Sequence, residues 1–157
     1  MASETVERVL KNINQDNNGG IFLPYVQRDF VWEKKKIYSL LDSLMRGYPI
    51  GTILTWETDE AIDYRPFVRD YNENYDFDET VKEGESGVNR RYVLDGQQRL
   101  QSLFIIREGS YDGGVLFFDL NSNPDTSAYS FQFQSRTYGK PGWLNVPEFL
   151  AMNFKGL

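Results

Sequence analysis

The sequence predicts an α+β domain. Apolar residues recur at helical i, i+3, i+4 spacing in four stretches, β-branched or period-two runs lie between them, and the two kinds are mixed in order. With 157 residues, 40% hydrophobic and 15% aromatic, the chain can bury one core.

Ser3 is placed to cap a first helix over residues 4–14, in which Val6, Val9, Leu10 and Ile13 share a face; Asn17-Asn-Gly-Gly then stops it. Ile21–Leu23 reads as a short strand ended by Pro24. Ile37, Leu40, Leu41 and Leu44 predict a second helix over 33–46, closed by Gly47 and Pro49. Ile50–Trp56 has strand composition. Arg91-Tyr-Val-Leu94 is a further strand, and the turn signal Asp95-Gly96 leads into a third helix over 98–107 with Leu100, Leu103 and Phe104 on one face. Gly114–Leu120 is an apolar strand, and Tyr129, Phe131 and Phe133 alternate with polar residues as in a half-buried strand. Asn145, Pro147 and Glu148 suit the N-cap, first-turn proline and N3 acid of a last helix, Pro147–Asn153. The chain ends at Leu157 just after this helix, from which the natural protein is expected to continue.

The chain has no histidine and no cysteine. This excludes a Ser-His-Asp triad, a histidine-based nuclease centre, thiolate chemistry, disulfides and a cysteine-held zinc. Catalysis would fall to carboxylates, amides, arginines and hydroxyls, with an oxygen-bound metal such as Mg2+. No apolar run is long enough to span a membrane and the N-terminus lacks signal-peptide character, so a soluble, cytoplasmic protein is expected.

The net charge of −6 is unevenly held. Residues 57–90 carry 11 acids and 4 bases, a net of −7, which leaves the rest of the chain at +1. The acidity therefore does not exclude a nucleotide or DNA partner. With little apolar periodicity, 57–90 reads as a long acidic loop or insertion within a domain over 3–153.

Two polar stretches stand where a strand hands over to a helix: Gln27-Arg28-Asp29 and Asp95-Gly96-Gln97-Gln98-Arg99. Unpaired N–H groups and the helix dipole favour anions at such junctions. Gly96 allows close backbone approach, Arg99 can clamp phosphate oxygens, and Gln97 and Gln98 offer amide donors and acceptors. Asp95 suits a Mg2+ ligand, an orienter of Arg99 or a water-positioning group, and Arg28 with Gln27 suits a second clamp. The same residues also fit a plain turn in which Asp95 caps a helix with a polar face. No Walker A or GxGxxG pattern occurs. Lys34-Lys35-Lys36 opens a helix where cations oppose the dipole, which suits either a phosphate contact or a solvated face.

Pro24, Gln27, Arg28 and Trp32, then Gly47-Tyr-Pro-Ile-Gly51, then Leu94-Asp-Gly-Gln-Gln-Arg-Leu-Gln-Ser102 match in order and spacing the N-terminal domain of GmrS/GmrD-type restriction proteins, which the chain resembles over about residues 3–150. The resemblance implies a ParB/sulfiredoxin-like fold that binds and often hydrolyses a nucleoside triphosphate (GTP, ATP or CTP) with Mg2+. It further implies control of an HNH-type nuclease domain, in cis or trans, that cuts modified phage DNA. On that basis Asp95, Gln97, Gln98 and Arg99 are expected to be catalytic, with Asp95 also the metal ligand. Gln27, Arg28, Gly96, Arg99 and Ser102 are expected to bind the nucleotide. Where the family usually carries a Thr or Ser pair, this chain has Gln101-Ser102, so any hydroxyl role falls to Ser102. The missing histidine puts an HNH centre outside this chain. A DNA-modification-sensing module without hydrolysis and a ParB-like nuclease remain alternatives, and homo-oligomerisation is open.

Overall fold

The computed structural model describes residues 4–153. They form α1 (Val6–Asn12), β1 (Gly20–Pro24), α2 (Lys34–Met45), β2 (Leu54–Thr58), β3 (Tyr64–Arg65), β4 (Asp70–Tyr71), a short 3-10 turn (Asp78–Thr80), β5 (Arg90–Asp95), α3 (Gln97–Glu108), β6 (Ser110–Tyr111), β7 (Val115–Asp119), β8 (Phe131–Gln134), β9 (Trp143–Asn145) and α4 (Val146–Asn153). The architecture is α+β, as expected. No helix among the described residues is long and apolar enough to cross a membrane.

The chain divides into two units. The first takes the residues up to Val31, Gly51–Val68 and Asn74–Phe104; the second takes Trp32–Ile50, Arg69–Glu73 and the residues from Ile105 on.

In the first unit a four-stranded sheet runs in the order β2-β5-β1-β3. β1 and β5 are parallel, with Gly20 opposite Arg90 and Phe22 opposite Tyr92, while β2 and β3 join antiparallel at the edges. β1 is buried along its whole length, which explains an apolar run without alternation. Phe22, Tyr64 and Tyr92 cluster together with Ile62 packed against them. Thr5 caps α1, its Oγ1 accepting from the Arg8 N–H at 3.3 Å. The expected cap, Ser3, lies outside the described residues. β2 starts four residues later than the strand expected from Ile50, because Gly51 holds φ +88° and the Thr52 carbonyl accepts from Arg99 instead of from a neighbouring strand.

The acidic segment 57–90 is not a solvated loop. Tyr64, Arg65, Phe67 and Val68 are buried, and β3 pairs with β1. The anchoring is done by amide side chains that stand in for a strand. Asn14 donates from Nδ2 to the Phe67 carbonyl at 2.9 Å and accepts the Phe67 N–H at 2.8 Å. Gln101, 1% exposed, does the same with Val68, at 2.7 and 2.8 Å. Such pairing leaves no periodic trace in the sequence, which is why the segment reads as a loop.

In the second unit β7 is the centre of an antiparallel sheet ordered β8-β7-β9, and β4 pairs in parallel with β6. α2 buries Ile37 and Leu40, as its spacing predicts. Tyr38 Oη accepts the Phe133 N–H at 3.1 Å, and the Asp42 carboxylate accepts the Tyr129 N–H at 2.8 Å and Arg46 Nε at 3.0 Å. The Tyr129 N–H bond and Arg46 hold the Asp42 carboxyl below the usual aspartate range. Asn145 Oδ1 accepts the Glu148 N–H at 3.2 Å, the cap expected for the last helix.

Candidate functional site

β5 delivers Asp95 to the end of a central strand, Gly96 turns the chain at φ +86°, and α3 begins at once with Gln97. A positive φ of this size is costly for any residue with a Cβ, so the glycine is what permits a one-residue passage from strand to helix. The Asp95 carboxylate is exposed, with Oδ1 accepting the Gly96 N–H at 2.9 Å. The first-turn N–H groups of α3 have no acceptor within their own helix.

Arg99 lies against two left-handed glycines. Its Nη2 donates to the Thr52 carbonyl at 2.8 Å. A methyl group added to Gly51 would stand 2.5 Å from Arg99 Nη1, and one added to Gly96 would stand 3.0 Å from Nη2. Glycine at both positions gives the guanidinium its place.

The turn after β1 is tied to this junction by side-chain amides. Gln27 Nε2 donates to the Leu94 carbonyl at 3.2 Å, and Gln97 Nε2 to the Arg28 carbonyl at 2.7 Å. Gln98 uses both ends of its amide, donating to the Asp29 carbonyl at 2.9 Å and accepting the Val31 N–H at 3.0 Å. From β3, the buried Arg65 pairs with the Asp29 carboxylate and donates from Nη2 to the Gln27 and Arg28 carbonyls at 2.9 and 2.8 Å.

A cleft of about 180 Å³, continuous with solvent, lies here between Leu23, Arg28, Phe30, Phe77 and Gln97. Two polar groups on it are unspent. The exposed Arg28 guanidinium has no hydrogen-bond or ionic partner among the described residues, and Gln97 Oε1, on a residue 7% exposed, is buried without a donor. An unmet buried acceptor costs about 1–3 kcal/mol unless a water or ligand supplies the missing bond. Most of that volume is open to solvent, and the enclosed part holds about one water-sized group.

Asp95, Gly96, Gln97, Gln98, Arg99, Gln27 and Arg28 are thus brought into one region of the first unit. Two expected roles change. Ser102 is fully buried, and its hydroxyl donates to the Gln98 carbonyl one turn earlier at 2.7 Å, so it has no hydroxyl to offer a ligand. The Gln98 amide is engaged at both ends in holding Asp29 and Val31. Trp32, the last residue of the upstream motif, belongs to the second unit, where its carbonyl accepts from Tyr111 Oη at 3.1 Å. Sequence reasoning missed Arg65 and Phe77. The signal that could have found the first is the Tyr64-Arg-Pro-Phe-Val68 run, the most apolar stretch in an acidic neighbourhood.

The described residues contain no cluster of three or more acidic, histidine or cysteine side chains able to hold a metal. Asp95 supplies a single exposed carboxylate. That donor set fits Mg2+, which takes one or two carboxylates and completes its shell with phosphate oxygens and water, and does not fit a cation caged by protein alone.

Fold and site together define an α+β domain in which Arg99 and the amides of Gln27, Gln97 and Gln98 gather at a strand-glycine-helix junction. The profile of the GmrSD restriction endonuclease, N-terminal domain, matches residues 6–148, and the chain belongs to that family. It is also 29% identical, over 155 residues, to an uncharacterized protein of Methanocaldococcus jannaschii. That alignment covers 87% of this chain and 25% of the relative, so the chain spans about a quarter of that protein's length.

Proposed function

We propose that this domain binds a nucleoside triphosphate with Mg2+ and hydrolyses it, and that through this it regulates a modification-dependent DNA restriction endonuclease. The observation that carries the reading is the strand-glycine-helix junction that holds Arg99 at the start of α3, with the exposed Arg28, unpaired among the described residues, and Gln97, whose Oε1 is buried without a donor, both among the residues lining one small cleft. Arg28 and Arg99 place two cations where phosphate charge grows during transfer, and the first-turn N–H groups of α3 add donors that need no reorganisation. Gln97 Oε1 is an acceptor able to orient a water. Asp95 would hold Mg2+, which would supply neutralisation of phosphate charge. DNA and an HNH-type nuclease domain are partners of the larger assembly, since a chain without histidine cannot supply that centre itself.

Calorimetric titration of the chain with GTP, ATP and CTP, each with and without Mg2+, tests the reading. One of them should bind in a Mg2+-dependent manner. Arg28→Ala and Arg99→Ala should each weaken it by about tenfold or more, the worth of one charge-assisted contact. Unchanged affinity in both variants would remove the site assignment; no binding of any of the three by the wild type would remove the nucleotide.

A further inference from the structure

We infer that Arg65, a residue of the acidic segment, is a positioning residue for the anion site: it fixes the backbone from which Arg28 projects. This rests on the nucleotide reading just given. The side chain of Arg65 is 3% exposed, and its two terminal nitrogens bond three consecutive residues of one turn, Gln27, Arg28 and Asp29, while Nε is buried without a partner.

The Arg28 carbonyl accepts from Arg65 Nη2 at 2.8 Å and from Gln97 Nε2 at 2.7 Å, which uses both of its lone pairs. The backbone of Arg28 is thereby held by two donors while its side chain is left exposed and without a partner among the described residues. That division is what presenting a cation in advance of a ligand requires, because the ordering cost is met during folding and not during binding. The pair with Asp29 has a second effect. Asp29 is half-exposed beside Arg28 and would repel phosphate; a buried cation on its carboxylate offsets that charge. The acidic segment also supplies Phe77, whose ring lies 5.1 Å from the Arg65 guanidinium and lines the same cleft. Tyr75 follows, its ring 4.9 Å from that of Phe77. A segment of net charge −7 thus contributes a buried cation and an aromatic wall to an anion site.

The test is a double-mutant cycle on the full chain. Whichever of GTP, ATP or CTP the wild type binds is titrated into Arg65→Lys, Arg28→Ala and the double variant. Lysine keeps the charge, but its three donors radiate from one atom and do not reproduce the planar fork that reaches these partners from two nitrogens. Arg65→Lys should weaken binding by about tenfold. The double variant should bind within about twofold of Arg28→Ala alone, because Arg65 acts through Arg28. Wild-type affinity in Arg65→Lys, or losses that multiply in the double variant, would overturn the inference. Amide hydrogen exchange supplies a readout that needs no nucleotide. The Val31 N–H, held by Gln98, should exchange at least about tenfold faster in Arg65→Lys while the β1 amides stay protected. If none of the three nucleotides binds the wild type, the nucleotide reading fails; the exchange result then decides Arg65, and unchanged Val31 protection refutes it. If Arg65→Lys does not fold, Arg65→Gln, which removes the cation and the two-nitrogen fork, takes its place in both measurements, with the same expected directions.

Discussion

The starts of α2 and α3 carry the same signal in the sequence, a run of polar or charged residues directly after a turn, and they meet different fates. At α2, in the second unit, the run is Lys34-Lys35-Lys36 and the capping position, Glu33, makes no side-chain cap bond. Lys34 pairs with Asp112 at 3.4 Å and lies over the Tyr111 ring at 5.3 Å, while Lys36 lies 5.9 Å from the Trp32 ring. These are surface accommodations that let cations tolerate an unfavourable helix end. At α3, in the first unit, Gln97 and Gln98 are buried and their amides bond a neighbouring turn. A uniform row of like charges at a helix start remains on the surface, whereas neutral amides can be taken inside because every donor and acceptor they carry can be matched. The one atom left unmatched, Gln97 Oε1, is where a ligand is expected.

The contrast can be broken most strongly inside α3. Gln101→Leu would strip the Val68 N–H and carbonyl of their partners in a fully buried place, and about 2–5 kcal/mol of stability should be lost, read from the urea midpoint. A loss below about 1 kcal/mol would mean that the acidic segment is held by something other than the amide pair.

In the second unit the sharpest probe is Asp42→Asn. The new side-chain oxygen can still accept the Tyr129 N–H but without charge, and the Arg46 contact is weakened, so at pH 6 the variant should have a urea midpoint slightly below the wild type's. Because the folded state holds the Asp42 carboxyl low, its contribution is present above the unfolded value of about 3.9 and fades as pH falls through the depressed one. The wild type and the variant should therefore converge in stability between about pH 4 and pH 2, and a gap that persists at pH 2 would point to packing instead of charge.

The smallest effect is expected at Lys35, the exposed middle member of the basic run. Lys35→Gln should change stability by no more than about 0.5 kcal/mol and leave nucleotide affinity within twofold. A larger fall in affinity would show that α2 shares in phosphate binding and would erase the distinction between the two helix starts.

How far the molecule can be read in advance follows the same division. α2, α3, β1, β5, β7, β8 and the capped α4 lie near their expected places because apolar spacing of 3.6 or 2 residues is a local property. β3, β4 and β6, two residues each, are too short to hold a period, and their existence depends on partners far along the chain. The candidate site was legible as the Gln27-Arg28 and Asp95-to-Arg99 stretches, because glycine beside arginines and amides at a helix start is itself a local signal. Its supports were not. The apolar run around Arg65 marks a place that can be buried, but it does not announce that the cation will turn to three residues 36 to 38 positions earlier.

The sequence by itself determined the α+β class, the strand-glycine-helix junction and the chemistry excluded by the absence of histidine and cysteine. Tertiary structure alone decided which polar groups are spent and which are left over. Ser102 and Gln98 are consumed by the fold, while the exposed Arg28 side chain and the buried Gln97 Oε1 are left without partners among the described residues. The physical reason is that hydrogen bonding is saturable: a side chain's availability depends on every partner that folding brings within about 3 Å, and those partners are set by contacts remote in the chain.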